Sequence, residues 1–237
     1  MKIIYLVFIL MLIPLISAEF TFYKTINGTG EDYEDLDEVF DTPVSIWVDN
    51  SILYISDTDE NLVYIMEDNE IYRKLGDSDD HTNELYRPRS LYMKEGVLYI
   101  CDSNEGEIKV YDKKPKLSIF SKDKNFFIEP WGITFLDGYY YIIDNQNSRL
   151  YIHNEDESYN RTYINLGRFS GQLDSPSDIF AGPDNQLYIA DTGNDRIEVF
   201  YSNLTFFQDI GKGRGGVLLN KPQGVFVNEK FVFVADT

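Results

Sequence analysis

Five aspartates recur at near-even spacing and are the residues best placed to do chemistry: Asp57, Asp102, Asp144, Asp191 and Asp236. A repeat that brought such carboxylates to one axis would make an oxygen cage for a divalent cation. Each aspartate, however, ends a short apolar run and begins a turn-forming stretch, as in Asp191-Thr-Gly-Asn-Asp195. A carboxylate there accepts hydrogen bonds from loop N–H groups, so a structural role is expected. Arg149 and Arg196 follow two of the aspartates by five positions and are expected to pin the same hairpins. Other reactive groups are sparse. His81 and His153 are the only histidines, whereas a catalytic zinc takes about three protein ligands. Cys101, the only cysteine, stands where the other units have Ser56, Ile143, Ala190 and Ala235, and reads as a buried structural thiol. No Gly-x-Ser-x-Gly, Cys–His pair or phosphate loop occurs.

The elements that must position these residues follow from a five-fold repeat. Prolines at Pro43, Pro88, Pro130, Pro176 and Pro222 are 45, 42, 46 and 46 residues apart, and each aspartate follows its proline by 14 or 15 positions. An aliphatic residue lies three positions after every proline (Ile46, Leu91, Ile133, Ile179, Val225). An aromatic lies three before every aspartate (Tyr54, Tyr99, Tyr141, Tyr188, Phe233). A period of about 40–45 residues built from short strands marks the blades of a β-propeller. In the fourth unit, strands are expected at 178–181, 186–190, 196–200 and about 205–210; in the third, the last two fall at 149–153 and 161–166. The second strand is apolar throughout, as for burial on both faces, and the third alternates as a half-exposed strand would. A further strand is read at 20–26, and no helix of consequence beyond residue 18.

Leu187-Tyr-Ile-Ala-Asp191-Thr-Gly-Asn194-Asp-Arg196-Ile-Glu-Val-Phe200, with Pro222-Gln-Gly224-Val225 after it, resembles the NHL repeat. Unit three keeps Gly132, Asp144, Asn147 and Arg149 but has Ile143 for the usual Ala, and unit four has Asp178 at the Gly position. Units one and two depart further, with Ser45 and Ser90 for the Gly and Leu62 and Glu107 for the Arg. The YWTD repeat fits less well, because no unit carries its Trp. The resemblance spans about residues 41–237 and implies an all-β fold: NHL-type four-stranded blades, four complete plus a partial fifth, within a six-bladed ring. It implies function weakly, since one scaffold hosts many chemistries. Among secreted relatives of this kind, amidating lyases use a histidine-ligated zinc, and propeller lactonases use calcium held by axial Asp, Asn and Glu. Here His81 and His153 fall on opposite faces, and Asp178 and Asn228 are the only obvious axial candidates. A metal-dependent enzyme is therefore the alternative, and no cofactor is expected.

Lys2, an apolar run from Ile3 to Ile16 and the small Ser17-Ala18 read as a secretory signal peptide over 1–18, with the propeller domain at 19–237 and blades starting near 43, 88, 130, 176 and 222. No later segment is apolar enough to span a membrane. Sequons at Asn27, Asn160 and Asn203 agree with a secreted or lumenal glycoprotein. Leader removal leaves 20 basic against 40 acidic residues, a balance that repels nucleic acid. In an up-and-down blade, the loop leading into the first strand and the second-to-third hairpin share one face. That approach face gathers Glu31, Asp32, Glu34, Asp35, Asp37, Glu38, Asp77, Asp79 and Asp80 over the early units, and Lys212 and Arg214 over the last. Asn160 and Asn203 fall on the opposite face. The expectation is a non-catalytic module contacting a protein or peptide through its charged face. Because a six-bladed ring needs roughly 270 residues, the chain is also expected to be a fragment or truncated product.

Overall fold

The computed structural model describes residues 40–68, 70–76, 83–114, 116–120, 127–163, 166–211 and 218–237. The leader, the strand read at 20–26, Asn27, the acidic loop through Glu38, and Asp77, Asp79, Asp80, His81, Lys212 and Arg214 lie outside them.

The first sheet comprises β1 (Pro43–Asp49), β2 (Ile52–Asp57), β3 (Leu62–Glu67) and β4 (Glu70–Leu75). The second comprises β5 (Pro88–Lys94), β6 (Val97–Asp102), β7 (Glu107–Tyr111) and the short β8 (Ser118–Ile119). The third holds β9 (Pro130–Leu136), β10 (Tyr139–Asp144), β11 (Arg149–Asn154) and β12 (Tyr159–Tyr163). The fourth holds β13 (Asp178–Ala181), β14 (Gln186–Asp191), β15 (Arg196–Tyr201) and β16 (Phe206–Gly211), and β17 (Gly224–Val227) pairs with β18 (Val232–Ala235) in a two-stranded ribbon. Every sheet is an antiparallel meander in chain order. Successive first strands neighbour one another, β1 with β5, β5 with β9, β9 with β13 and β13 with β17, so they ring an axis. These are the blades of a β-propeller, all-β apart from one 3-10 turn at Thr192–Asn194 among the described residues. No described helix is long and apolar enough to cross a membrane.

Alternate residues of each second strand feed two different cores, which is why these strands read as continuously apolar. Leu98 and Ile100 pack toward the first blade, with Val63 and Ile65; Tyr99 and Cys101 pack toward the third, with Ile133 and Ile142. Cys101 is fully buried, and burial pushes its thiol pKa well up. The third strand departs from expectation. Arg196, Ile197, Glu198, Val199 and Phe200 are all buried rather than alternately exposed. Strand β16 flanks one edge of β15, and the charged members of β15 compensate each other within the blade. The fourth strand of blade three runs over 159–163 rather than 161–166, so Asn160 sits inside a strand rather than in a connection.

Each of two departures from the repeat pattern is accommodated by a small residue opposite it in the strand pair. Ile143 lies opposite Gly132, where a Cβ would come within 3.0 Å of the Ile143 side chain. In blade four the pair is Asp178 opposite Ala190. The larger partner sits on the second strand in one blade and on the first in the other, as volume conservation in a close-packed interior requires.

Candidate functional site

The approach face is built by the repeat columns. Each repeat carboxylate accepts the N–H two residues before its blade's proline. Asp57 takes Asp41 N (2.8 Å) and Thr42 N (3.0 Å), and Asp144 takes Ile128 N (2.7 Å) and Glu129 N (3.2 Å). Asp102 takes Tyr86 N (2.6 Å), Asp191 takes Asp174 N (2.6 Å) and Asp236 takes Asn220 N (2.7 Å). The sequence reading placed these acceptors on the second-to-third hairpin. Only the Glu60 N–H to Asp57, at 3.4 Å, answers to that backbone role; the main service is to the approach loop. The physical reason is that proline has no N–H, so the loop reaches the sheet with donors that the ladder does not absorb.

A second column, unrecognised in the sequence, joins neighbouring blades. The residue after each aspartate donates to the carbonyl of the next blade's anchor proline. Thr58 reaches Pro88 O at 2.9 Å, Ser103 reaches Pro130 O at 2.8 Å, Asn145 reaches Pro176 O at 3.0 Å and Thr192 reaches Pro222 O at 2.7 Å. Three positions further, Asn61, Ser148 and Asp195 accept the N–H of Arg87, Ser175 and Lys221, each just before the next proline. Those three acceptors have positive φ, as a hairpin turn with this reach requires. The face is thus a closed set of latches.

Blade four carries an internal ion network. Arg196 is 1% exposed; its Nε donates to Asp191 Oδ2 at 2.8 Å, its Nη2 lies 2.8 Å from Glu198 Oε1, and its Nη1 lies 3.9 Å from Asp209 Oδ2. Nη2 also donates to Phe169 O and Gln172 O, binding the loop that leads into the blade. Arg149, expected to act likewise, is exposed and makes no ion pair or hydrogen bond among the described residues. Its strand has Tyr151 where β15 has Glu198, so the second carboxylate is missing.

Burial leaves several carboxyls reluctant to ionise. Asp102 Oδ2 is buried without a partner among the described residues, and burial pushes its pKa up to about 7. Burial likewise pushes Asp178 up to about 7, outweighing the N–H bonds from Val225 and Ile179, and raises Asp191 and Glu198 despite Arg196. In the unfolded chain such groups titrate near 4. The folded state therefore binds more protons between about pH 4 and 7, and stability falls as pH rises through that window. Calorimetry is expected to find a melting midpoint higher at about pH 5 than at about pH 8 by at least ~3 °C. Equal or inverted midpoints would show that these carboxyls ionise normally.

At the axis, residues one and two positions after the prolines line one cavity of about 80 Å³: Val44, Ser45, Arg89, Ser90, Trp131, Ser177, Asp178, Gln223 and Gly224, blade three contributing Trp131 alone. All five blades contribute. The Arg89 guanidinium lies 3.7 Å from the Trp131 ring centroid, a cation–π stack. Asp178 Oδ1 accepts Ile179 N and Oδ2 accepts Val225 N, both at 2.9 Å, tying blade four to blade five. Ser45 accepts Leu91 N at 3.3 Å in the corresponding link between blades one and two. Of the axial residues singled out in the sequence, Asp178 is here, whereas Asn228 lies past the far end of β17 and caps a turn through Lys230 N and Phe231 N.

His153 is fully buried at the far end of β11, with Nδ1 3.0 Å from Glu157 O and its ring against Phe120 and Phe127. Asn160 and Asn203 are exposed at the ends of blades three and four opposite the cavity. Among the described residues no three His, Cys, Asp or Glu side chains stand together as a metal site would need.

The fold is shared with solved β-propellers. Virginiamycin B lyase from Staphylococcus aureus matches with a TM-score of 0.61 at 18% identity, over 82% of this chain and 63% of that one. A chain of a nidogen/laminin complex matches at 0.64 and 16% identity, over 82% of this chain and 72% of that one. The WD40 β-propeller domain of Doa1 matches at 0.58 and 12%, over 81% and 59%. The chain thus spans less than two thirds of the lyase and Doa1 structures. At these identities the likeness establishes the fold alone. No family model and no curated protein matches the sequence.

Proposed function

We propose that the chain is a secreted, non-catalytic binding module of the NHL type that contacts a protein or peptide through its approach face. The observation that carries this reading is the axial cavity. It lies at the entry ends of the first strands, takes residues from all five blades, and at about 80 Å³ holds a functional group rather than a whole substrate. The charged loops read from the sequence lead into the same ends of the first strands. Asn160 and Asn203, the sequons among the described residues, lie at the other end and would leave this face uncovered. A structural neighbour comes from a nidogen/laminin complex, which shows the fold within a protein assembly. The lyase neighbours keep an enzyme as the competing reading; a metal-dependent one, amidating lyase-like or lactonase-like, is the form the sequence resemblance implies.

The test is a four-fold neutralisation, Glu34→Gln, Asp35→Asn, Asp37→Asn and Glu38→Gln, in the secreted full chain. A partner recovered by cross-linking from extracellular medium is expected to bind the variant several-fold more weakly. If these acids serve binding rather than folding, the melting temperature should move by less than about 2 °C. Unchanged binding, with loss of binding on substitutions beside Asn160 and Asn203, would assign the opposite face. Turnover of a peptide or lactone on addition of zinc or calcium would replace the binding reading with the enzymatic one.

A further inference from the structure

We propose that the axial cavity is a carboxylate-recognition site in which Arg89, held over the Trp131 ring, is the anchoring residue. This rests on the binding-module reading above and names the chemistry that the partner brings to the axis. Stacking on an indole holds a guanidinium by its face and leaves the in-plane N–H edge for a ligand. That edge is unspent. Arg89 Nε is buried without a hydrogen-bond partner, and among the described residues no carboxylate forms an ion pair with this side chain. Burial and the neighbouring Arg87 lower its pKa, with Glu129 and Asp59 opposing the shift from beyond ion-pair distance, and a guanidinium stays charged at physiological pH. An unpaired cation in a half-closed cavity is an unfavourable resting state, and a carboxylate relieves it with two parallel N–H···O bonds.

The surrounding polar groups narrow the ligand class. Ser90 has no hydrogen-bond partner among the described residues and lines the same cavity. Ser45 uses its oxygen as an acceptor for Leu91 N, which leaves its hydroxyl proton to give. Asp178 spends both oxygens on backbone N–H groups, so it offers a ligand little free accepting capacity. One fixed cation and two hydroxyl donors suit a monoanion, since the second charge of a phosphate dianion would find no cation of its own among the lining residues. The cavity volume admits a carboxylate group with little more, so the rest of the ligand must lie outside the cavity. A peptide could present that group at its C-terminus or on an Asp or Glu side chain.

The experiment titrates the full chain with N-acetylglycine, N-acetylglutamate amide and inorganic phosphate, followed by tryptophan fluorescence and calorimetry. Saturable binding of either carboxylate in the range of about 1–10 mM is expected, with phosphate weaker; the tighter carboxylate distinguishes terminus from side chain. Arg89→Ala should weaken binding about 10- to 100-fold, and Arg89→Lys should lose most of it by removing the planar fork. Far-UV circular dichroism checks that both variants fold, and Ser90→Ala provides a milder variant with about a 3-fold loss. No saturable carboxylate binding by the wild type would overturn the proposal. So would equal binding by the folded Arg89 variants, or preferential Arg89-dependent binding of phosphate. These probes require no protein partner. If they fail while the neutralised approach loop still abolishes partner binding, only the carboxylate site falls; if the reverse, only the charged-loop contact does.

Discussion

Replacing Arg196 with alanine is expected to destabilise the protein by about 3–5 kcal/mol, lowering its melting temperature by roughly 6–20 °C. Arg196 is 1% exposed and stands against Asp191, Glu198 and Asp209. Removing it leaves buried carboxylates without their shared cation, and the carbonyls of Phe169 and Gln172 without the Nη2 donor. Arg196→Lys should recover little, because one ammonium cannot serve two carboxylates and two carbonyls at the positions where a planar fork serves them. The informative control is Arg149→Ala. It occupies the same repeat column, but its side chain is exposed and unpaired among the described residues, so a change within about 0.5 kcal/mol is expected. Denaturant unfolding of the two variants decides the matter. Equal costs would mean that the column matters for its backbone position and that the ion network of blade four contributes nothing.

The contrast between these two arginines shows where sequence reading reached its limit. The strands, their order and the inward aromatic and aliphatic columns were legible because each answers a local geometry repeated five times. The Asp column was legible too, but its partners were placed wrongly: a carboxylate that closes β2 or β10 points at a loop some 16 residues earlier, such as Asp41 or Ile128. Glu198 reads as the exposed position of an alternating strand, and its burial is made tolerable by the neighbouring Arg196 and by the Gly171 N–H. Thr58, Ser103, Asn145 and Thr192 form a visible column of short polar residues, yet their acceptors are proline carbonyls about 30 residues further on. Nothing in a side-chain pattern announces a carbonyl. The cavity was hidden for a related reason. Arg89 and Trp131 share a column whose other members are Val44, Ser177 and Gln223, and their contact exists only because the blades close side by side around an axis.

Asp144→Ala is expected to have the second largest effect, about 2–5 kcal/mol, and it tests the chemistry first suggested by the repeat. Asp144 is fully buried and takes the N–H groups of Ile128 and Glu129. Without it, two approach-loop donors lose their acceptor, at about 1–3 kcal/mol for each that stays dry. Pro130 follows directly and has no N–H with which to re-pair the loop to the sheet. Asp144→Asn keeps one carbonyl oxygen and turns an NH₂ toward the other donor, so about half the loss is expected. Asp236→Ala should cost less than about 1 kcal/mol, because Asp236 is exposed and serves Asn220 alone. Amide exchange gives a second readout: protection of Ile128 and Glu129 should fall more than that of β10 itself, since the loop opens before the strand does. A metal-ligand role predicts otherwise. It would make the wild type, but not Asp144→Ala, gain stability on addition of calcium, with the five aspartates contributing alike. Equal destabilisation by Asp144→Ala and Asp236→Ala, together with calcium-dependent stability, would return these carboxylates to the metal-binding reading that their spacing first invites.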